Sequence, residues 1–271
     1  MLFFMKLHLY DYFKDSKGVV IDSRKITKDC FFIALRGKNF DGNQFAEIAV
    51  QKGAKYALVD RPEIAKKNQR LILVENTLQS LQKLASYHRR NLTAKIIALS
   101  GSNGKTTTKE LVNKVLATQF RTKSTKGNYN NHIGVPLTLL DFDENTEIGV
   151  VEMGTNHLKE IKFLCQLAQP DIGLITNFGQ AHLEGFGGIE GVIKGKSEMY
   201  EYLSKAGGTI ILNIDDHLQR NWLSHNPHYT FGEDINANCC VKYLKRKHKP
   251  LSLIVENTTI ESNLYGEYNF S

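Results

Sequence analysis

Residues 95–120 read KIIALSGSNGKTTTKELVNKVLATQF, and this stretch constrains the fold more than any other. Ile96–Leu99 is a short apolar run of the kind a buried parallel strand shows. It breaks into Gly101-Ser102-Asn103-Gly104-Lys105-Thr106-Thr107, after which Leu111, Val112, Val115 and Leu116 recur at helical spacing. Strand, glycine loop and helix in that order make a phosphate-binding loop. Small residues let backbone N–H groups approach phosphate oxygens, and the helix N-terminus adds a partial positive charge. In that reading Lys105 reaches the outer phosphates and the Thr106 hydroxyl ligates Mg²⁺. The loop is a short G-x-x-G-K-T form, because Leu99 stands where the longer pattern has its first glycine. A tight strand-to-helix turn with an exposed lysine is the plainer alternative. The flanking strand and helix favour a nucleoside triphosphate.

The rest of the chain supplies a scaffold for such a site. With 271 residues, two domains are expected, each large enough to bury a core. No apolar run approaches the ~20 residues of a membrane span. The N-terminal MLFFMKLHLYDYF carries Lys6, His8 and Asp11 and lacks a small-residue cleavage site, so it reads as a first helix or strand and not a signal peptide. Cys30, Cys165, Cys239 and Cys240 show no CxxC spacing and read as reduced thiols of a cytoplasmic protein. The net charge of +7 is spread along the chain, and its densest run, Lys242–Lys249, sits between strand-like segments as a solvated hairpin face. That pattern argues against nucleic acid and suits small anionic substrates.

Residues 1–90 read as a small α/β domain without a phosphate loop. Cys30–Leu35 and Tyr56–Val59 are strands, Phe45–Gly53 is helical, and Thr77–Arg90 is a helix with Leu78, Leu81, Leu84 and Ala85 on one face. Ser23-Arg24 and the glycine-bounded Arg36–Gly42 loop, with Lys38 and Asn39, either bind an anion or are ordinary turns. From residue 91 to 271 strands and helices alternate as in a mostly parallel, doubly wound sheet. Ser124–Pro136 reads as a polar loop in which Asn130 and Asn131 recognise a substrate or make turns. Ile148–Met153 is a buried strand ending near Glu152, a carboxylate whose desolvation is costly unless it serves a metal facing the phosphate loop. Thr155–Ala168 and Gly188–Leu203 read as helices, the second carrying Lys194 and Lys196, which read as solvated. His182 follows a further strand at the same sheet edge as Glu152, where it is either an ordinary surface histidine or part of a metal or phosphate site.

The ordered strings GSNGKTTTKE, TKGNYNNHIGVPLTLL, VVEMGTNHLKEI, ITNFGQAHLEGFGG, GVIKGKSEMY and LNIDD, over roughly residues 95–216, resemble the Mur ligases of peptidoglycan synthesis. DSRKITKDCFFIALRGKNFDGNQF looks like that family's uridine-nucleotide domain. The resemblance implies a small N-terminal α/β uridine-nucleotide domain followed by a P-loop, mostly parallel-sheet ATPase domain. The NNHIGVP and AHLEGFG wording points to the family member that adds D-alanyl-D-alanine. The implied reaction serves cell-wall biogenesis, and with it cell shape and division. ATP phosphorylates the terminal carboxylate of UDP-MurNAc-tripeptide, and the amine of D-alanyl-D-alanine attacks the acyl phosphate. It also implies roles: Lys105 on the phosphates, Thr106 and Glu152 on a first Mg²⁺, and His182 on a second. Lys196 aligns with a lysine carbamylated by CO₂, against the solvated reading above. Ser23, Arg24, Lys38 and Asn39 would meet UDP, and Asn130 and Asn131 the muramoyl-peptide. A different amino-acid-adding relative, a folylpolyglutamate-type ligase and a non-catalytic nucleotide-binding module are the alternatives. At the end of the chain Tyr268 stands where the family has a histidine, and by the resemblance the family's C-terminal ligase domain is expected to be missing. The expectation is therefore a truncated form, monomeric and away from membranes, that keeps the uridine site and a weakened ATP site without ligase activity.

Overall fold

In the computed structural model, which describes residues 9–179, 183–225, 227–244 and 250–265, the chain forms two compact units. The first holds the chain up to Thr93 together with His132–Thr146. The second holds Ala94–Asn131 and the chain from Glu147 onward.

The first unit opens with a helical stretch over residues 9–14 (α1). Strands β1 (Val19–Val20) and β2 (Phe31–Ile33) follow. A two-stranded ribbon of β3 (Arg36–Gly37) and β4 (Phe40–Asp41) leads into helix α2 (Ala46–Gln51) and strand β5 (Tyr56–Val59). Helix α3 (Pro62–Ala65), strand β6 (Leu71–Leu73) and helix α4 (Thr77–Arg90) complete this part of the chain. The order β1-β2-β5-β6 is parallel throughout. Cys30–Leu35 is buried along its whole length, the near-continuous apolar pattern of a strand covered on both faces. Asn76 starts α4 by accepting the Gln79 N–H at 2.8 Å, which satisfies one orphan donor of the first turn.

The second unit begins with β7 (Lys95–Ser100), the phosphate-loop helix α5 (Lys105–Leu116) and β8 (Thr122–Ser124). The chain then returns to the first unit as helix α6 (Gly134–Leu140), which packs on α4. His88 bonds the Phe142 carbonyl at 2.9 Å, and Gln82 donates to the His132 carbonyl at 3.0 Å. The polar Ser124–Pro136 segment is therefore not loop throughout. Its first residue ends β8 and its last three begin α6, because Val135 and the leucines after it bury a face against α4 that the polar residues before them cannot.

Back in the second unit come β9 (Ile148–Glu152), α7 (Glu160–Ala168), β10 (Ile172–Ile175), α8 (Leu183–Phe186), α9 (Ile189–Ala206) and β11 (Thr209–Asn213). Strands β12 (His228–Gly232), β13 (Cys239–Leu244), β14 (Ser252–Val255) and β15 (Thr258–Glu261) complete it. The sheet order is β15-β14-β13-β12-β11-β10-β7-β9-β8, parallel from β8 to β13 and antiparallel beyond. After β7 the chain builds β8 and β9 on one side, then β10 on the other. The phosphate loop thus leaves the sheet at a topological switch point, where ligands bind in open α/β sheets.

Two helices differ from the sequence reading. Residues 155–159 precede α7 as a loop, because the Glu160 carboxylate gathers the Asn156 and His157 N–H groups and the Thr155 hydroxyl. In α5, Leu111 and Val115 are exposed, and Lys109 is the buried side chain.

At its C-terminal edge the β10–β11 pair is spread by side chains. Direct pairing runs from Ile172↔Thr209 to Leu174↔Ile211. One residue on, the Tyr200 hydroxyl of α9 accepts the Ile175 N–H at 3.0 Å and donates to the Ile211 carbonyl at 2.9 Å. The Gln219 carboxamide accepts the Asn213 N–H at 3.0 Å and donates to the Ile175 carbonyl at 3.1 Å. In a regular parallel ladder these four backbone groups would pair with each other.

Leu139 is fully buried on α6. Leu139→Ala is expected to destabilise the first unit by about 2–5 kcal/mol, read as a lower urea midpoint.

Candidate active site

The phosphate loop is held by backbone that only glycine tolerates. Gly101 has φ +143°, and a Cβ there would stand 1.9 Å from Thr176 Oγ1. Gly104 has φ +77° at the N-cap of α5 and offers no side-chain cap, so the first N–H groups of the helix remain for a ligand. The residues after β10 fasten the loop from the other side. Ser102 N–H donates to the Asn177 carbonyl at 3.0 Å, Asn103 N–H to Asn177 Oδ1 at 3.1 Å, and Thr176 Oγ1 to the Asn103 carbonyl at 2.6 Å.

Two ammonium groups meet at this loop. Lys105 Nζ donates to the carbonyls of Gly101 at 2.8 Å and Ser102 at 3.1 Å. Lys196 Nζ, reaching in from α9, donates to the same Gly101 carbonyl at 3.0 Å. Lys196 is 1% exposed, whereas Lys194 is exposed. Burial, and then the neighbouring Lys105 charge, push the Lys196 ammonium down to about 8. Burial also lowers Lys105, against the opposing pull of Glu152.

The carboxylate partner stands at the end of β9. Glu152 is 1% exposed, and its two oxygens take different donors: Thr106 Oγ1 at 3.0 Å and Asn130 Nδ2 at 2.8 Å. Its N–H donates to Thr125 Oγ1 at 2.9 Å. Asn130 is seated against Gly154, where a Cβ would come within 2.9 Å of the amide. The Thr106 and Glu152 oxygens suit Mg²⁺. Their separation matches the roughly 2.9 Å between adjacent oxygens of an octahedron with 2.0–2.1 Å bonds, and Mg²⁺ takes few protein ligands besides phosphates and water.

In the first unit, Arg36, Lys38, Asn39, Phe40, Asp41 and Arg61 are among the residues lining a pocket of about 760 Å³. Arg36 pairs with buried Asp60 at 3.2 Å, and Arg61 donates to Asp41 at 3.0 Å. The ribbon folds this tightly because a Cβ on Gly42 would stand 2.6 Å from the Leu35 carbonyl oxygen.

Comparison with known proteins is decisive for the family. The Mur ligase middle domain matches residues 99–271, and the Mur ligase family catalytic domain matches residues 15–89. The chain belongs to the Mur ligase family. It is 42% identical over 220 residues to UDP-N-acetylmuramoyl-tripeptide–D-alanyl-D-alanine ligase of Bacillus subtilis, covering 79% of this chain and 47% of that protein. With the Escherichia coli enzyme of the same name it shares 40% identity over 207 residues, covering 76% of this chain and 45% of the relative. Crystal structure I of MurF from Acinetobacter baumannii superimposes with a TM-score of 0.82 at 29% identity, covering 98% of this chain and 62% of that one. MurF ligase from Thermotoga maritima in complex with ADP gives 0.81 at 28% identity, covering 96% and 61%. The chain thus spans about half the length of the curated relatives it matches.

Within this Mur ligase fold, the structure brings Lys105, Thr106, Glu152, Asn130 and Lys196 to one place. The solvated reading of Lys196 is overturned: two residues beyond exposed Lys194 it turns under the phosphate loop, while Lys194 faces out. Asn131 is exposed beside Asn130, and Thr107 is exposed on the first turn of α5. Ser23 and Arg24 do not line the first-unit pocket. Arg24 is exposed and grips Asp22 through Nε at 2.9 Å and Nη2 at 2.8 Å, which holds that carboxyl below the usual carboxylate range. His182 lies outside the described residues, as do Tyr268 and the rest of the final motif. Thr176 and Asn177, which fasten the loop, lie in the ITNFGQAHLEGFGG string, but the resemblance assigns them no role in it. The signal for them was their position at the end of a buried strand beside the switch point.

Gly101→Ala is expected to displace the loop and weaken ATP binding at least tenfold, measured by titration calorimetry. Lys196→Met is expected to raise the thermal midpoint at pH 7, where the wild-type protein must bury an ammonium. From about pH 8 upward the folded wild type sheds that proton while the unfolded chain keeps it until the ordinary lysine range. Wild-type stability therefore rises over this range relative to the variant, and calorimetric scans at several pH values should show the gap closing.

Proposed function

We propose that this chain carries the uridine-nucleotide and ATP sites of a ligase that joins D-alanyl-D-alanine to UDP-MurNAc-tripeptide through an acyl phosphate. The observation that carries the reading is the Thr106–Glu152–Asn130 cluster set against the Lys105 loop. Phosphoryl transfer asks mainly for positioning and charge neutralisation, and this cluster offers both. Supporting it are the names of the two curated relatives and the ADP complex among the solved neighbours.

A terminal carboxylate oxygen of the tripeptide attacks the γ-phosphorus of ATP, and the bond to ADP breaks. The D-alanyl-D-alanine amine then attacks the acyl carbon, inorganic phosphate leaves, and the amine sheds a proton as the peptide bond forms. The loop N–H groups and Lys105 bind the β- and γ-phosphates, and Thr106 and Glu152 hold Mg²⁺. The metal supplies charge neutralisation where two anions must meet. Lys196 serves as a carbamate that helps hold a second Mg²⁺ with His182. A lysine at about 8 is roughly one-tenth neutral amine at pH 7, and only the neutral amine takes up CO₂. Asn130 orients the Glu152 carboxylate beside the muramoyl-peptide. The Arg36–Gly42 loop, with Lys38 and Asn39, binds the UDP moiety. With nucleotide-linked substrates of this kind, the cytoplasm is the compartment we propose for the reaction. Among the described residues no helix is long and apolar enough to cross a membrane.

Titration calorimetry with UDP-MurNAc-tripeptide, then with ATP and Mg²⁺, tests the reading. Micromolar binding of the uridine substrate, about −8 kcal/mol, is expected. ATP binding without any uridine binding would overturn it. A carbamate signal from ¹³C-bicarbonate is expected to grow between pH 7 and 9 and to vanish in Lys196→Met.

A further inference from the structure

Lys109 is buried without any exposed surface one turn along α5 from Thr106, in a helix whose other side chains stay at least partly in contact with water. A lysine so placed needs a reason, because an ammonium out of water is costly unless its donors are met. Lys109 Nζ donates to the Thr125 carbonyl at 2.7 Å and pairs with Glu110 at 2.8 Å. Thr125 is itself tied on two further sides. Its N–H continues the ladder to the Val150 carbonyl at 2.9 Å, and its hydroxyl accepts the Glu152 N–H at 2.9 Å. Glu152 returns to α5 through Thr106 at 3.0 Å. The bonds close a ring: Lys109 to Thr125, Thr125 to Glu152, Glu152 to Thr106, and one helical turn back to Lys109.

We propose that Lys109 is a positioning residue of the nucleotide–metal site. It sets the spacing between the phosphate-loop helix and the β8–β9 edge, and through it the Thr106–Glu152 oxygen pair. Thr106 and Glu152 lie on separate elements, and the one hydrogen bond between their side chains does not by itself fix the spacing of the helix from the strand. Lys109 adds a second tie one turn deeper, beyond the reach of solvent. The same tie fixes the start of the loop that carries Asn130 to Glu152. The inference rests on the ATP-binding reading above, and the metal is taken as Mg²⁺.

The test compares ATP affinity with and without Mg²⁺ in the wild type, Lys109→Met, Thr125→Val and Thr125→Ser. In Lys109→Met and Thr125→Val the gain in affinity on adding Mg²⁺ is expected to fall at least tenfold, with Mg²⁺-free affinity within twofold of wild type. Thr125→Ser keeps the hydroxyl and is expected to keep the gain. Hydrogen exchange without metal should show residues 125–131 opening at least tenfold faster in Lys109→Met, with β10 and α9 unchanged. A folded Lys109→Met that keeps the Mg²⁺ gain, or exchange accelerated uniformly through the unit, would overturn the inference alone. If Lys109→Met does not fold, Thr125→Val retaining the gain would overturn it. A wild-type chain that binds no ATP would overturn the nucleotide reading and this inference together.

Discussion

Two lysine ammonium groups donate to one peptide carbonyl, that of Gly101, and the site is arranged around this crowding. Like charges so close would normally separate, yet neither can. Lys105 is fixed on the first turn of α5, and Lys196 is packed in α9 among buried neighbours. Their meeting point is fixed as well, since Gly101 lies against Thr176 with no room for a side chain. The result is a concentrated positive field at the mouth of a helix N-terminus, where a polyphosphate offers far better acceptors than a peptide carbonyl. Burial first, and then the same crowding, lowers the proton affinity of Lys196, so a demand of nucleotide binding and a demand of amine chemistry meet in one arrangement.

Counter-charge is placed as deliberately. Glu152 is sunk at the end of an apolar strand, and each of its oxygens has a donor from a different part of the chain. A buried carboxylate held this way has a fixed direction, whereas a surface glutamate samples many. Glu198, also on α9, is used differently. It accepts the N–H groups of Lys159 at 2.6 Å and Lys162 at 2.9 Å and so caps α7. Two buried carboxylates of one unit thus have separate tasks, one facing the ligand edge and one closing a helix end.

Much of this was legible in the chain because the chemistry is local. The phosphate loop, its strand and its helix are contiguous, and a glutamate inside IGVVEM is conspicuous against its apolar neighbours. The parallel sheet followed from alternating apolar runs and helical spacing. What could not be read depends on contacts distant in sequence. A lysine on an amphipathic helix looks solvated, and only the tertiary packing of α9 and α5 shows that Lys196 and Lys109 are not. Tyr200 and Gln219 replace a rung between β10 and β11, but nothing near either residue announces a role in the sheet. Leu111 and Val115 misled in the opposite sense, since helical spacing identifies a face without saying what covers it. Residues 155–159 looked helical until Glu160 was seen to gather their backbone N–H groups.

The return of α6 to the first unit has a consequence for how the protein is made. Helix α4 is complete by Arg90, yet the helix that covers it arrives some forty residues later, after the phosphate loop and its helix have been synthesised. During translation the first unit therefore waits, with an apolar helix face open, for a segment that the ribosome delivers only after starting the second. A cut in the chain near residue 91 would sever no secondary structure and still leave the first unit without part of its own core. The two units are interleaved along the chain and in time, and neither is a self-sufficient stretch of sequence.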